Sequence, residues 1–245
     1  GAGVANASYG LPDLGMTQLD DVLVDAIRIN QICDLPLLVD IDTGWEDVGQ
    51  AVQQMTAVGV AAVHLEDQVA QKRCGHRPNK QLVSQFEMND RIEKAVAAKT
   101  DPDFMIIART DALASEGLEA AIGRAQAYVA AGAEAVFVEA VTELAQYEQF
   151  CAALEVPVLA NITEFGRTPL FTLEQLRAQG VAMALYPLSA FRAMNQAALN
   201  VYQTLRAEGS QQSCLGTMQD RETLYDFLDY YAYEKALDNQ AEAGD

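Results

Sequence analysis

Six short apolar stretches, each ending in polar or charged residues and each separated from the next by a helical pattern, leave this chain few folds to choose from. Residues 36–42, 60–66, 104–109, 134–139, 157–161 and 181–186 have the length and apolar continuity of strands covered on both faces. The spacing between them predicts helices over 47–57, from Ser84 to Lys99, and over 118–131, 143–154 and 173–178. Gly132 and Gly180 fall where helices should end. Residues 1–16, rich in Gly, Ala, Asn and Pro, read as a loop, after which Thr17 and Asp20 suggest a capped helix start. Two further helices are predicted over 191–205 and 221–237, followed by an acidic, frayed tail from Asp238.

Alternating strands and helices imply parallel βαβ units. A doubly wound sheet and a (β/α)8 barrel both satisfy that pattern. Asp40, Asp42, Glu66, Asp67, Arg109, Asp111, Glu139 and Asn161 all fall at the C-terminal ends of successive strands. An open sheet gathers its site at one switch point, whereas a barrel recruits residues from many strand ends around one mouth. The distribution therefore favours a TIM-type (β/α)8 barrel. Six strands are two short of eight, and the chain opens Gly1-Ala2-Gly3-Val4, so the expectation is a barrel lacking its first two strands. The expected division is an incomplete barrel domain over 1–208 and a helical extension with an acidic tail over 209–245.

A net charge of -19 and a pI near 4.3 argue against nucleic acid and anionic membrane surfaces as partners. No apolar run approaches the length of a membrane span. Cys33, Cys74, Cys151 and Cys214 are widely scattered and form no CxxC pair, which points to a reducing, cytoplasmic setting.

The densest chemistry lies between Val63 and Arg77. Cys74 is flanked by Lys72, Arg73, His76 and Arg77, positive charge that stabilises a thiolate, and Gly75 frees the backbone to bend. A solvated basic turn with an incidental cysteine is the plainer alternative. Asp40, Asp42 and Glu66 should converge at the barrel mouth. Clustered carboxylates repel unless a cation or a proton sits among them, and oxygen donors suit Mg2+ or Mn2+. Strand-end carboxylates satisfied by amides or salt bridges are the competing reading. Arg109 is a candidate clamp for a substrate carboxylate or, alternatively, a structural partner of Asp111 or Glu139. His64, within a strand, reads as structural. The aromatic residues Tyr225, Phe227, Tyr230, Tyr231 and Tyr233 suggest helix packing on more than one face, in a core or against another subunit.

Several segments carry a resemblance: GLPDLG at 10–15, LPLLVDID at 35–42, the Lys-Arg-Cys-Gly-His run at 72–76, ARTDALA at 108–114, LANITEFG at 159–166 and ALYPLSAFRAMN at 184–195. Together they resemble the isocitrate lyase and phosphoenolpyruvate mutase superfamily over essentially the whole chain. The likeness is strongest to the branch that cleaves 2-methylisocitrate to pyruvate and succinate in the methylcitrate cycle of propionate catabolism. It implies that Asp40, Asp42 and Glu66 surround Mg2+, with Asp13 close to that shell. It also implies that Arg73, Gly75, Arg109, Glu139 and Asn161 contact a small tricarboxylate substrate, and that Phe137, Leu185 and Pro187 make room for its extra methyl group. In the implied retro-Claisen cleavage, Cys74, tuned by His76, delivers a proton to the carbanion, and Arg109 acts beside it. The resemblance further implies a homotetramer with exchanged C-terminal helices. Val138 departs from the pattern, which has proline there. Two alternatives stay open: a lyase for isocitrate or 2,3-dimethylmalate, and an inactive fragment that binds without turnover.

Overall fold

A computed structural model describes residues 1–70 and 81–243. Two compact units divide it, Gly1–Ser189 and Ala190–Asp245.

The first unit carries a six-stranded, wholly parallel sheet in the order β1-β2-β3-β4-β5-β6. Its strands are β1 (Leu38–Asp40), β2 (Ala62–Glu66), β3 (Met105–Thr110), β4 (Ala135–Val138), β5 (Val158–Asn161) and β6 (Met183–Leu185). Strand order follows chain order without reversal, so there is no topological switch point. A doubly wound sheet requires one, and that alternative is excluded for this unit.

Two short segments precede β1: α1 (Ala2–Ser8) and α2 (Leu19–Ile32). The loop expected over 1–16 is thus partly helical, since Ala2, Ala5 and Ala7 favour a helix and Ala5 buries. The cap of α2 also falls one residue later than expected. Gln18 takes that place, and its backbone N–H donates to Asp21 at 2.8 Å. The connecting helices are α3 (Val48–Ala57), α4 (Gln85–Ala97), α5 (Leu113–Glu116), α6 (Leu118–Ala130), α7 (Leu144–Ala153) and α8 (Leu173–Ala178). Asp47, Ser84 and Thr172 cap three of them by accepting from backbone amides. Gly132 ends α6 with φ 109°, and Val96 lies 3.1 Å from where a Cβ would stand, so conformation and packing both require glycine there.

The two faces of the sheet are distinct. Val63, Leu65, Ile106 and Ala108 pack under α3 and α4 with Val52, Met55, Met88 and Ile92, while Val136, Val138, Val158 and Ala160 pack under α6 and α7 with Tyr147 and Phe150. The alternate residues, Ile107, Ala135, Phe137 and Leu159, form a smaller apolar layer on the other face, flanked by Leu38, Met105, Met183 and Leu185. Period-two alternation thus sends every second strand residue to a face of its own.

The second unit contains α9 (Ser189–Glu208), a 3-10 turn (Gln212–Thr217), α10 (Arg221–Leu228) and α11 (Tyr230–Ala243). One helix was expected over 221–237. Asp229 interrupts it in the left-handed conformation, φ 51°, which a short polar side chain tolerates better than most. The helix also continues past Asp238, where fraying was expected. Within the unit, Tyr225 stacks on Tyr230 at 4.1 Å and Tyr231 meets both rings edge-on. Phe227 and Tyr233 are mostly exposed. No described helix is long and apolar enough to cross a membrane.

Candidate active site at the strand ends

Most buried polar side chains of the first unit gather where the strands stop. Asp42, Glu66, Asp67, Gln68, Thr110, Asp111, Glu139 and Asn161 are all buried, and all lie at or just beyond the C-terminal ends of β1 to β5. Strand register explains their proximity: Glu66 pairs with Arg109, Arg109 with Phe137, and the backbone N–H of Glu66 donates to the carbonyl of Asp42 at 2.8 Å.

Arg109 occupies the centre. Its Nε donates to Asp111 Oδ2 at 2.9 Å and its Nη2 to Asp111 Oδ1 at 3.2 Å. Nη1 lies 3.3 Å from Glu66 Oε2, and Nη2 lies 3.3 Å from Glu139 Oε2. Burial works against the guanidinium charge, but Asp111, Glu66 and Glu139 outweigh it and hold the group well above its ordinary pKa. Asn161 extends the row by donating from Nδ2 to Glu139 Oε2 at 3.2 Å. The other amide atom of Asn161, Oδ1, is buried with no hydrogen-bond partner among the described residues. A buried acceptor in that condition suits a donor brought in by a ligand.

At the β1 end, Asp40 Oδ1 accepts from the Asp42 backbone at 2.9 Å and lies 3.6 Å from His64 Nδ1. Asp42 and Ala140 both have positive φ, 53° and 60°. Backbone strain of this kind persists where surrounding contacts enforce it, and here it flanks the polar row at two strand ends. The amide of Ala140 donates to Glu139 Oε1 at 2.8 Å, which fixes the carboxylate from its own backbone.

The structure thus brings Glu66, Arg109, Glu139 and Asn161 into one row, with Asp40 and Asp42 beside it. Phe137 lies below, its ring 5.0 Å from the Arg109 guanidinium and 5.2 Å from the His64 imidazole. Leu185 closes the same apolar layer. Asp13 sits half-buried on the bend before α2, and Pro187 is exposed beyond β6. Arg73, Cys74, Gly75 and His76 lie outside the described residues.

Sequence reasoning gave no role to Asp67. Its carboxylate is fully buried and accepts from Thr110 Oγ1 at 2.8 Å, the Asp111 backbone at 2.9 Å and Tyr128 Oη at 2.8 Å. Burial, then the charge of Asp111, push its carboxyl upward against those bonds. The available signal was an acidic residue directly after Glu66, at a strand end, with Thr110 and Asp111 at the next.

Among the described residues, no three His, Cys, Asp or Glu side chains gather closely enough to hold an ion directly. Mg2+ keeps several waters, and the oxygen donors of Asp40, Asp42 and Glu66 at neighbouring strand ends suit an ion held partly through those waters.

Comparison with known proteins places this geometry in context. The family model described as phosphoenolpyruvate phosphomutase matches residues 1–206. The 2-methylisocitrate lyase of Escherichia coli (strain K12) is 63% identical over 98% of this chain and 82% of its own length. A crystal structure of 2,3-dimethylmalate lyase superposes with a TM-score of 0.88 at 31% identity, covering 99% of this chain and 81% of that one. A phosphonopyruvate hydrolase solved with oxalate and Mg++ superposes with a TM-score of 0.83 at 26% identity, over 96% of this chain and 83% of that one.

Proposed function

This chain belongs to the phosphoenolpyruvate phosphomutase family, and we propose that it is a carbon–carbon lyase cleaving 2-methylisocitrate to pyruvate and succinate. The observation that carries this reading is the likeness to a 2-methylisocitrate lyase across nearly the full chain. The strand-end row supports it. Arg109 presents a planar, permanently charged fork beside a carboxylate-rich edge, the arrangement that grips a carboxylate substrate in two places.

Asp40, Asp42 and Glu66, with Asp13 nearby, are the residues that would hold Mg2+ or, in its place, Mn2+. The bound ion would supply Lewis-acid polarisation of the substrate's hydroxyl and carboxylate oxygens. Arg109 neutralises a carboxylate, and Glu139 and Asn161 fix its neighbouring oxygens, with Asn161 Oδ1 ready to accept a hydroxyl proton donor. Phe137, Leu185 and Pro187 line the apolar side that admits the methyl group. Arg73 and Gly75 contact the substrate from the segment outside the described residues. A base takes the proton of the substrate hydroxyl, and the carbon–carbon bond breaks as the resulting alkoxide becomes the ketone of pyruvate. Cys74, its thiol tuned by His76, gives its proton to the carbanion, which leaves as succinate. The reaction belongs to propionate catabolism in the methylcitrate cycle, in the cytoplasm.

The singly wound strand order and the separate inner layer support six strands of a TIM-type (β/α)8 barrel, the incomplete barrel domain expected over 1–208. The aromatic helices beyond it are exchanged between subunits of a homotetramer. Exposed Phe227 and Tyr233 support that reading.

A coupled assay for pyruvate from 2-methylisocitrate and Mg2+, run on this chain and its Cys74→Ser variant, tests the proposal. Pyruvate from the parent and a collapse in the variant are expected. Glyoxylate from isocitrate, or propionate from 2,3-dimethylmalate, in the absence of activity on 2-methylisocitrate would move the assignment to a related acid. Unchanged turnover in the variant would remove Cys74 from the proton transfer.

A further inference from the structure

We propose that Asp67 is a positioning residue for Arg109, acting through Asp111. The inference rests on the reading above that Arg109 binds a substrate carboxylate. Three observations carry it. Asp67 Oδ1 accepts the backbone N–H of Asp111 at 2.9 Å, and Oδ2 accepts the hydroxyl of Thr110 at 2.8 Å. Asp67 therefore grips the two residues that immediately follow Arg109. The side chain of Asp111 in turn holds Arg109 through two hydrogen bonds, at 2.9 and 3.2 Å. Finally, the Asp67 amide donates to the carbonyl of Arg109 itself at 3.2 Å. The residue thus closes a ring, with its backbone on Arg109 and its carboxylate on the peptide of Asp111.

Asp67 is itself held firmly. Tyr128 Oη donates to Oδ2 at 2.8 Å, and Arg124 Nη1 lies 3.8 Å from the same oxygen. Burying a carboxylate this completely costs free energy that a purely packing residue would avoid, so the position calls for an ionised acceptor. A guanidinium placed 1 Å away from its productive position loses much of its value to a reaction. A buried anion that fixes the backbone from the Arg109 carbonyl to Asp111 prevents that displacement.

The test is a double-mutant cycle on Asp67→Asn and Arg109→Lys, read by steady-state kinetics with 2-methylisocitrate and by calorimetry with oxalate and Mg2+. Asp67→Asn should raise KM and weaken oxalate binding about tenfold, with kcat reduced less. In the Arg109→Lys background the same substitution should change oxalate affinity by less than twofold, because the group being positioned has already lost its fork. Additive effects, or an unchanged oxalate affinity in a folded Asp67→Asn protein, would overturn the proposal. Thr110→Val, which removes one bond to Asp67 and preserves side-chain shape, should reproduce a smaller, equally non-additive loss if Asp67→Asn does not fold. A parent that binds oxalate yet releases no pyruvate would defeat the lyase assignment, and the oxalate cycle would still decide the role of Asp67.

Discussion

The guanidinium carbon of Arg109 lies 5.0 Å from the centre of the Phe137 ring, so this cation of the strand-end row rests on the apolar layer beneath it. Charge above and aromatic face below fix the plane of the guanidinium, while Asp111 fixes its rotation. Lysine has neither the plane nor the fork. Arg109→Lys is expected to leave the fold intact and to lower kcat/KM for 2-methylisocitrate by roughly 10- to 150-fold, the value of one charged hydrogen bond. Steady-state kinetics beside a thermal melt would measure it. A loss of melting temperature without a loss of kcat/KM would assign Arg109 a structural role only.

Phe137 supports two groups at once, Arg109 by its face and His64 edge-on at 5.2 Å. Replacing it with leucine keeps most of the apolar volume and removes the ring. Phe137→Leu should cost about 1 kcal/mol of stability and raise KM several-fold, the combined value of a cation–π contact and an aromatic pair. Urea unfolding and a KM measurement on the same preparation separate the two effects.

Much of this arrangement was legible in the sequence. Short apolar runs bounded by glycines and caps located all six strands, because a buried parallel strand is nearly continuous in apolar residues. Their polar ends named Asp42, Glu66, Arg109, Glu139 and Asn161, which the structure sets side by side. The structure pairs Arg109 with Asp111 and Glu139, the two partners offered for it as a structural group, and the clamp on a substrate carboxylate is the proposed role. Less legible was Asp67, whose role depends on Tyr128, 61 positions away in the chain, a separation no local pattern encodes. The break at Asp229 was equally hidden, because apolar and aromatic spacing runs through it and only the backbone angle reveals the turn. At the N-terminus, small residues that suit a loop also suit a helix, and tertiary contact decided in favour of α1.

Metal removal should distinguish the carboxylates from ordinary strand-end caps. Treatment with a chelator is expected to abolish pyruvate formation, and added Mg2+ to restore it. Asp42→Asn should raise the Mg2+ concentration for half-maximal activity roughly tenfold or more, since it removes one charge from an oxygen-only set. Activity that survives exhaustive chelation, or an unchanged Mg2+ requirement in that variant, would return these residues to a structural role.

The last prediction concerns alkaline stability. Tyr147 is fully buried under the sheet, and its hydroxyl has no hydrogen-bond partner among the described residues. Burial, then the charge of Glu139, raise its phenol well above the ordinary value of 10.0. The folded phenol keeps its proton where the unfolded one gives it up. Below pH 10 the stabilising difference is fully present, and above it the unfolded chain binds fewer protons, so stability falls as pH rises. The slope is about 1.4 kcal/mol per pH unit for each such group. Tyr128, raised by burial and by Asp67, adds a second. Tyr147→Phe should flatten this decline by one group's worth. At pH 8 it should leave stability equal to the parent's or about 1 kcal/mol higher, because it deletes a buried hydroxyl that lacks a partner. Tyr128→Phe should behave oppositely at pH 8, losing about 1–3 kcal/mol, since its hydroxyl bonds Asp67 at 2.8 Å and Arg124 at 3.2 Å. Urea midpoints at pH 8 and pH 10.5 for the three proteins give the comparison. A Tyr147→Phe variant clearly weaker than its parent at pH 8 would mean that the hydroxyl is bonded after all.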